Sequence, residues 1–264
     1  LETLPERGVP NYFGPQRFGR RGDTDDLGEA MVRGELNDFL DLYFGCPRQV
    51  DPPDCRRARE LYEEERYEEA LDAWPPKESN KRRGLAAYID RRSPGPVLSA
   101  ISKSRRQLFL SAFQSRLFNE LLAERMPRID RVLQGDVAKK TDTGGMFEVE
   151  NPEEEQPRAE AFDISPTGLL PGRDPWYASG EPGDRERTLL EANDLSEEDF
   201  EKVGYLRSDG TRRPYRFSPG SPELTLDRDT HGPYLELRFQ VPSGCYATVL
   251  LREILHSDSA SAKD

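Results

Sequence analysis

The segment SKSRRQLFLSAFQSRLFNELLAERM, residues 102–126, constrains the fold more than any other part of the sequence. Its large apolar residues recur every four positions, at Phe109, Phe113, Leu117 and Leu121. A stripe with this spacing lies on one face of an α-helix, and that face needs to be buried against other elements. The sequence therefore predicts one long helix that contributes to a core.

The part of the chain before residue 131 is predominantly helical in pattern. Apolar residues follow a helical period in DTDDLGEAMVRGELNDFLDLYF, residues 23–44, where Asp25 or Asp26 is a candidate N-cap, and again in residues 52–74. A third, short helix is predicted around Leu85–Ile89. We expect it to end before the next proline, because proline disrupts a helix interior.

Short strand-like runs broken by glycine, proline and acidic turns follow residue 131. The predicted strands are Val132–Ala138, Met146–Val149, Ala159–Ile164, 213–217, 223–229 and 234–241. We predict a solvated loop at ENPEEEQP (150–157), a turn at SPTGLLPG (165–172) and polar helices at 184–193 and 196–203. A last helix is predicted within 242–255, with Ser243 as a candidate cap, and a disordered tail after it. This mixture of helices and sheet segments indicates an α+β fold.

The composition limits the function classes. The chain has 264 residues and a net charge of −12, no run of about 20 apolar residues that could span a bilayer, and no CxxC, P-loop, HExxH or GxSxG motif. Its two histidines, His231 and His256, lie at a turn and at a helix end. We therefore expect a soluble, cytoplasmic protein without a metal site, in which histidine has no catalytic role.

Arginine greatly outnumbers lysine among the basic residues. Only 7 of the 38 are lysines, as in proteins from a high-salt cytoplasm, and several arginines are clustered. The guanidinium group suits phosphate recognition, although the same clusters could simply pair with surface carboxylates. The candidates for contact with an RNA backbone are Arg17, Arg20, Arg21, Arg105, Arg106, Arg212 and Arg213.

The stretch NYFGPQRFG, residues 11–19, places three aromatic residues beside amides, an arginine and two glycines. An aromatic face can stack on a nucleobase for about 1–3 kcal/mol, an amide can read the edge of the base, and arginine can hold the flanking phosphates. These are the components of a site for a flat polar ring. The alternative is that the aromatic residues are core beneath a turn.

Five segments together resemble the TruD family of tRNA pseudouridine synthases. They are GVPNYFGPQRFG (8–19), SAFQSRLFNELL (111–122), SPTGLLPG (165–172), DGTRRPYRF (209–217) and VPSGCYATVLLRE (241–253). The resemblance implies a mixed-sheet pseudouridine synthase domain, present in part at 1–37 and 218–256 and interrupted by an α+β TRUD insertion domain at 38–217. The tail would be 257–264.

The resemblance also implies the reaction, which is the isomerisation of a uridine in tRNA, at position 13 in bacterial members, to pseudouridine. No cofactor or metal takes part, tRNA is the partner, and we expect a monomer. Carried over to this sequence, Asn11 would contact the target nucleotide, Phe13 would stack on the uracil and Tyr246 would line the same pocket. Arg252 is a weaker candidate, because a surface ion pair would also explain it.

The family's nucleophilic Asp lies in a G-K-D segment upstream of the NYFG motif, and nothing before Gly8 matches it. Asp23, Asp25 and Asp26 have the pattern of turn and helix-cap residues. We therefore expect the nucleophile upstream of Leu1, and a chain that is a segment of a longer enzyme and inactive alone. Two alternatives stay open: a noncatalytic RNA-binding module that keeps the uridine pocket, and an acidic α+β protein with no RNA role.

Overall fold

The computed structural model describes residues 6–220 and 222–255, so Leu1 and the tail predicted at 257–264 lie outside the described residues. The α-helices are α1 (Thr24–Arg33), α2 (Leu36–Phe44), α3 (Pro53–Glu63), α4 (Tyr67–Ala73), α5 (Ser79–Arg91), α6 (Pro94–Ala100), α7 (Lys103–Arg125), α8 (Pro152–Glu160), α9 (Gly180–Ala192), α10 (Glu197–Glu201) and α11 (Ala247–Leu255). The strands are β1 (Val9–Pro10), β2 (Val137–Lys140), β3 (Met146–Glu148), β4 (Ile164–Leu170), β5 (Thr211–Pro214), β6 (Arg216–Phe217), β7 (Glu223–Asp229) and β8 (Gly232–Arg238).

The long helix α7 is confirmed, and it lies in the largest core. Its four stripe residues are all buried. Helix α1 packs along α7 so closely that a Cβ at Gly28 would lie 2.1 Å from the carbonyl oxygen of Phe109. Only glycine permits this approach, and the two helices therefore share one core that also includes Phe13.

The two long helices predicted upstream are each split, which corrects the sequence-based boundaries. Gly34, in the left-handed region with φ 76°, ends α1 before α2 begins at Leu36. Glu65, with φ 58°, separates α3 from α4. The apolar residues keep their helical spacing on both sides of each break, because the two helices bury the same side of the chain. The sequence pattern therefore does not show where one helix ends and the next begins.

The third predicted helix is present and ends before Pro94 as expected, but it is longer than predicted. Helix α5 runs from Ser79 to Arg91, beyond Leu85–Ile89 at both ends, and Pro94 begins a further helix, α6, that was not predicted. Proline is well suited to the first helical position, where its missing N–H has no partner to lose.

A four-stranded antiparallel sheet with the order β3-β2-β4-β5 forms the second half of the fold. The predicted turn at 165–172 is in fact mostly strand β4, nearly all of it buried. The predicted loop at 150–157 contributes instead to α8, whose N-cap Asn151 accepts a hydrogen bond from the backbone N–H of Glu153. The predicted strand Ala159–Ile164 begins within α8 and becomes extended only at its last residue.

Two further pairings complete the described architecture. Strand β1 pairs antiparallel with β6, so that Val9 lies opposite Phe217 and Pro10 opposite Arg216. The strands predicted at 223–229 and 234–241 are present as β7 and β8, which pair as an antiparallel hairpin, whereas α11 begins at Ala247, too late for Ser243 to cap it. The domain division at 37 and 218 stays a prediction.

Candidate nucleic-acid interface

Three segments that are far apart in the sequence meet around Asn11. The β1–β6 pairing brings residues 9–12 beside 213–217, and the Asn11 backbone N–H donates to the carbonyl oxygen of Tyr215 at 2.8 Å. The Asn11 side chain donates from Nδ2 to the carbonyl oxygen of Pro214 at 2.9 Å. Asn11 is therefore buried and fixed at the junction between the first and the returning segment.

Arg213 joins this junction to the loop that precedes α11. Its guanidinium donates to Oδ1 of Asn11 at 2.5 Å, to the Asn11 carbonyl oxygen at 3.1 Å and to the Gly244 carbonyl oxygen at 2.9 Å. Burial lowers the pKa of Arg213, and nearby Arg17 lowers it further. Among the described residues no carboxylate forms an ion pair with Arg213, so the junction holds an uncompensated cation.

Phe13 lies directly beneath this cation. The Arg213 Cζ is 4.1 Å from the centre of the Phe13 ring, and the ring also makes edge contacts with Phe118 at 5.6 Å and Tyr246 at 6.0 Å between centroids. Phe13 is only 7% exposed. The structure thus brings Asn11, Phe13 and Tyr246 together around Arg213, while stacking of a uracil on Phe13 stays a prediction.

Asn119 of α7 holds the backbone of Phe13 from the other side. Its Oδ1 accepts from the Phe13 N–H at 2.8 Å, and its Nδ2 donates to the Phe13 carbonyl oxygen at 3.1 Å. Two hydrogen bonds to one residue fix its orientation more firmly than either bond alone. Sequence reasoning did not single out Asn119, although it lies in the quoted segment 111–122.

A cleft of about 550 Å³ opens beside Asn11 and Arg213. Five cationic residues line it and no aspartate or glutamate does, although the chain carries a net charge of −12. The cationic residues are Lys139, Lys140, Arg212, Arg213 and Arg216. A positive cleft in an acidic chain favours a polyanionic ligand.

Lys139 and Lys140 were not predicted, although two of only seven lysines stand side by side in the sequence. Both are half-buried at the end of β2. Within residues 6–220 and 222–255, neither makes an ion pair or a side-chain hydrogen bond. The ammonium groups of both lysines are therefore available to a ligand.

Arg212 differs from its neighbour Arg213. It donates two hydrogen bonds to the Glu186 carboxylate, at 2.5 and 3.2 Å, and three more to oxygens of Thr167 and Trp176. Both side chains of the Arg212–Glu186 ion pair are 1% exposed. Arg212 therefore has no exposed surface to offer an RNA backbone.

The other predicted arginines are distributed outside the cleft. Arg17 lies over Phe13 with its Cζ 5.1 Å from the ring centre, and Arg106 lies over Tyr205 at 4.9 Å. Arg20, Arg21 and Arg105 converge on a separate cavity, taken up below. Arg252 lies 5.3 Å from the ring centre of Tyr12 and makes no ion pair with a described residue.

The three aspartates near the NYFG motif are held in ion pairs. Asp23 accepts from Arg21 at 2.6 Å, while Asp25 and Asp26 each accept from Arg116 at 3.2 Å. Burial raises the pKa of Asp25 despite Arg116. No group of metal-ligating side chains occurs in the described part of the chain, and none of its helices is long and apolar enough to cross a membrane.

The fold closely matches that of a solved structure. A solved structure from Methanosarcina mazei, described as a tRNA pseudouridine synthase D, matches with a TM-score of 0.86 and 26% identity over 97% of this chain and 63% of that one. The chain therefore has the α+β fold of a pseudouridine synthase of this type. The family model "tRNA pseudouridine synthase D (TruD)" matches residues 1–254, and the chain belongs to this family.

Curated relatives agree with this assignment. The tRNA pseudouridine synthase D of Geobacter sp. (strain M21) is 38% identical over 259 residues, and that of Geotalea daltonii is 37% identical over 258 residues. The alignments cover 98% and 97% of this chain but 64% of each relative, so the chain spans less than two-thirds of their length. The predicted family and fold class are confirmed. The position expected for the nucleophile, upstream of Leu1, is not tested by these alignments and stays a prediction.

Proposed function

We propose that this chain carries the uridine-holding part of a tRNA pseudouridine synthase, and that the complete protein converts a uridine in tRNA to pseudouridine. One observation carries the proposal: Asn11 and Arg213 line a cleft that holds, apart from the ion-paired Arg212, four cationic residues and no carboxylate, and Arg213 lies over the ring of Phe13, which contacts Tyr246. RNA is the polyanion that fits this cleft, because its backbone supplies phosphates and its bases supply flat rings.

The reaction requires the uridine to leave its stack. The bond between ribose C1′ and uracil N1 breaks, the base turns, and C1′ bonds to C5; N1 gains a proton and C5 loses one, so the base remains an isomer. An extruded base loses stacking free energy, which the protein has to replace. The Arg213–Phe13 pair offers a flat cationic surface for that purpose.

The Asn11 side chain is held in a fixed position in this site. Its Oδ1 accepts from Arg213 and one Nδ2 hydrogen is donated to Pro214, which leaves one N–H for an oxygen of the nucleotide. Lys139 and Lys140 lie across the cleft, where they can neutralise phosphates on either side of the extruded nucleotide. The site therefore binds the nucleotide and orients its base.

The nucleophile is proposed to lie upstream of Leu1, in the part of the protein that the longer relatives have and this chain does not cover. The chain alone would then bind tRNA without turnover. The second candidate function is a noncatalytic RNA-binding module. It is favoured by the ion pairs that occupy Asp23, Asp25 and Asp26, the aspartates nearest in sequence to the NYFG motif.

The test measures pseudouridine in tRNA transcripts incubated with the protein from the complete reading frame. Variants are Phe13→Ala, Asp25→Asn and an alanine replacement of the Asp in any upstream G-K-D segment. We expect loss of turnover in the upstream variant, reduced turnover in Phe13→Ala and little change in Asp25→Asn. Loss of turnover in Asp25→Asn would move the nucleophile into this chain. Retained tRNA binding with no pseudouridine in the unaltered protein would favour the noncatalytic module.

A further inference from the structure

A cavity of about 350 Å³ lies on another part of the molecule, between residues 19–24 and helices α2, α3, α5 and α7. It shares no lining residue with the cleft around Asn11. We name it the Lys81 pocket. The mechanism proposed above makes no use of it.

Cations outnumber carboxylates in the walls of the Lys81 pocket by six to three. The cations are Arg20, Arg21, Arg59, Lys77, Lys81 and Arg105, and the carboxylates are Asp23, Asp51 and Glu78. They come from five separate stretches of a chain whose net charge is −12. Such convergence of positive charge attracts anions.

Two of the carboxylates are already committed to two of the arginines. Arg21 donates to Asp23 at 2.6 Å and to Asp51, and Asp51 lies 3.6 Å from Nε of Arg59. Burial alone would raise the pKa of Asp51, but the hydrogen bonds from Arg21 and the Arg48 backbone and the nearby charges of Arg59 and Arg21 together lower this pKa, so Asp51 stays ionised. These two arginines and two aspartates together have a net charge close to zero, and they form a rigid floor of the pocket.

Four cations remain against a single carboxylate, Glu78. Arg20, Lys77 and Arg105 are exposed at the mouth, and Lys81 lies further in. None of the four forms an ion pair within the part of the chain that the structure describes. The exposed side chains of Arg20, Lys77 and Arg105 can reorient toward a ligand at little cost in free energy.

Of the four remaining cations, Lys81 would be stabilised most by a bound anion. Its Nζ lies 3.4 Å from the centre of the Tyr43 ring, 5.4 Å from that of Trp74, and against the Tyr43 carbonyl oxygen. Burial lowers the pKa of Lys81 well below its ordinary value, and Arg59 and Arg21 lower it further. A half-buried ammonium that forms no ion pair is costly, and a bound anion would reduce that cost.

We infer that the Lys81 pocket binds a phosphate group of the RNA backbone, at a place separate from the uridine cleft. Phosphate suits the pocket because Arg20 and Arg105 offer guanidinium forks at the mouth while Lys81 offers a point charge inside. Three of the arginines predicted as backbone candidates, Arg20, Arg21 and Arg105, meet here although they are far apart in sequence. That the phosphate belongs to tRNA rests on the proposed function.

The experiment measures tRNA binding by the complete protein at several salt concentrations. Pocket variants are Lys77→Gln and Arg105→Gln, which change exposed side chains and leave the core intact. The control is Lys103→Gln, an exposed lysine on the same helix as Arg105 that does not line the pocket. We expect each pocket variant to bind about fivefold more weakly and to reduce the salt slope by about 1, with no change in the control.

A second arm titrates inorganic pyrophosphate and follows heat release, which we expect to be smaller in both pocket variants than in the unaltered protein and unchanged in the Lys103→Gln control. Unaltered tRNA affinity in both pocket variants would overturn the assignment to RNA, whether or not pyrophosphate binds in the pocket. Equal losses in the pocket variants and the control would also overturn it, because the effect would then be one of general charge. Absence of pseudouridine formation does not affect this test, since binding is measured directly and the failure of the proposed reaction is seen separately.

Discussion

The guanidinium of Arg213 lies over the ring of Phe13, with 4.1 Å between Cζ and the ring centre, while its nitrogens donate to Asn11 and Gly244. One side chain thus links the NYFG motif, strand β5 and the loop before α11. Because each of the three comes from a different part of the chain, Arg213 is the residue on which the shape of the site depends.

Arg213→Lys keeps the positive charge but loses the planar fork that reaches Asn11 and Gly244 together. We expect kcat for pseudouridine formation in the complete protein to fall by between about tenfold and a hundredfold, because the Asn11 and Phe13 groups shift. Arg207→Lys, at an exposed position outside the cleft, is the control. Unchanged kcat in Arg213→Lys would show that charge alone suffices.

Asn119→Ala tests the support of Phe13 from α7. Gln107, on the same helix, is a matched control, because it also makes two hydrogen bonds to one backbone, that of Arg207, at 2.9 and 3.2 Å. We expect each alanine variant to lose about 1–2 kcal/mol in urea unfolding. Only Asn119→Ala should lower turnover as well. Equal turnover in Asn119→Ala and Gln107→Ala would mean that Asn119 has only a structural role.

The adjacent residues Arg212 and Arg213 show what sequence could and could not predict. Successive side chains of a strand point to opposite faces, so one of the pair was bound to face inward once β5 was recognised. Which one is decided by Glu186, 26 positions earlier on α9, whose carboxylate meets Arg212 in the core. No local pattern carries that information.

Strand β4 shows a similar limit for the fold. The period of α7 is strong enough to predict the helix from sequence alone, but SPTGLLPG has the composition of a turn. A Cβ at Gly168 would lie 2.5 Å from the ring of Tyr215, so this glycine permits a ring to pack on the strand. The sequence alone does not distinguish a glycine that permits close packing from a glycine that permits a turn. The difference becomes visible only when the neighbouring strand is known.

Glu186→Ala should destabilise the fold strongly. It leaves the Arg212 guanidinium buried without its opposite charge, and we expect a loss of about 3–5 kcal/mol in urea unfolding. Glu181→Ala removes partners of Arg128 and Arg185 at a side chain that is 52% exposed, and should cost at most about 1 kcal/mol. A small effect of Glu186→Ala would mean that Arg212 reaches solvent, and would return it to the RNA-contact candidates.

Glu29 gives a prediction for acid stability. Burial alone would raise its pKa, but hydrogen bonds from Arg116 and from Arg33, the latter at 2.9 Å, together with the charges of both arginines, lower the pKa below 4.5. A carboxyl group with a lowered folded-state pKa stabilises the protein above its unfolded-state pKa, and this contribution is lost as the pH falls through the folded-state value. Glu29→Gln should therefore be less stable than the unaltered protein near pH 7, and the difference should shrink as the pH falls below 4.5.

Urea unfolding of both proteins across this pH range measures the difference directly. Asp38→Asn, on α2 and without an ion pair among the described residues, is the control and should show no such trend. A difference that stays constant down to low pH would mean that the Glu29→Gln substitution disturbs packing instead of removing a charge. Arg116 also forms ion pairs with Asp25 and Asp26 at the start of α1. A difference that does not depend on pH would therefore separate the effect of replacing Glu29 from the electrostatic effect of the rest of this ion-pair network.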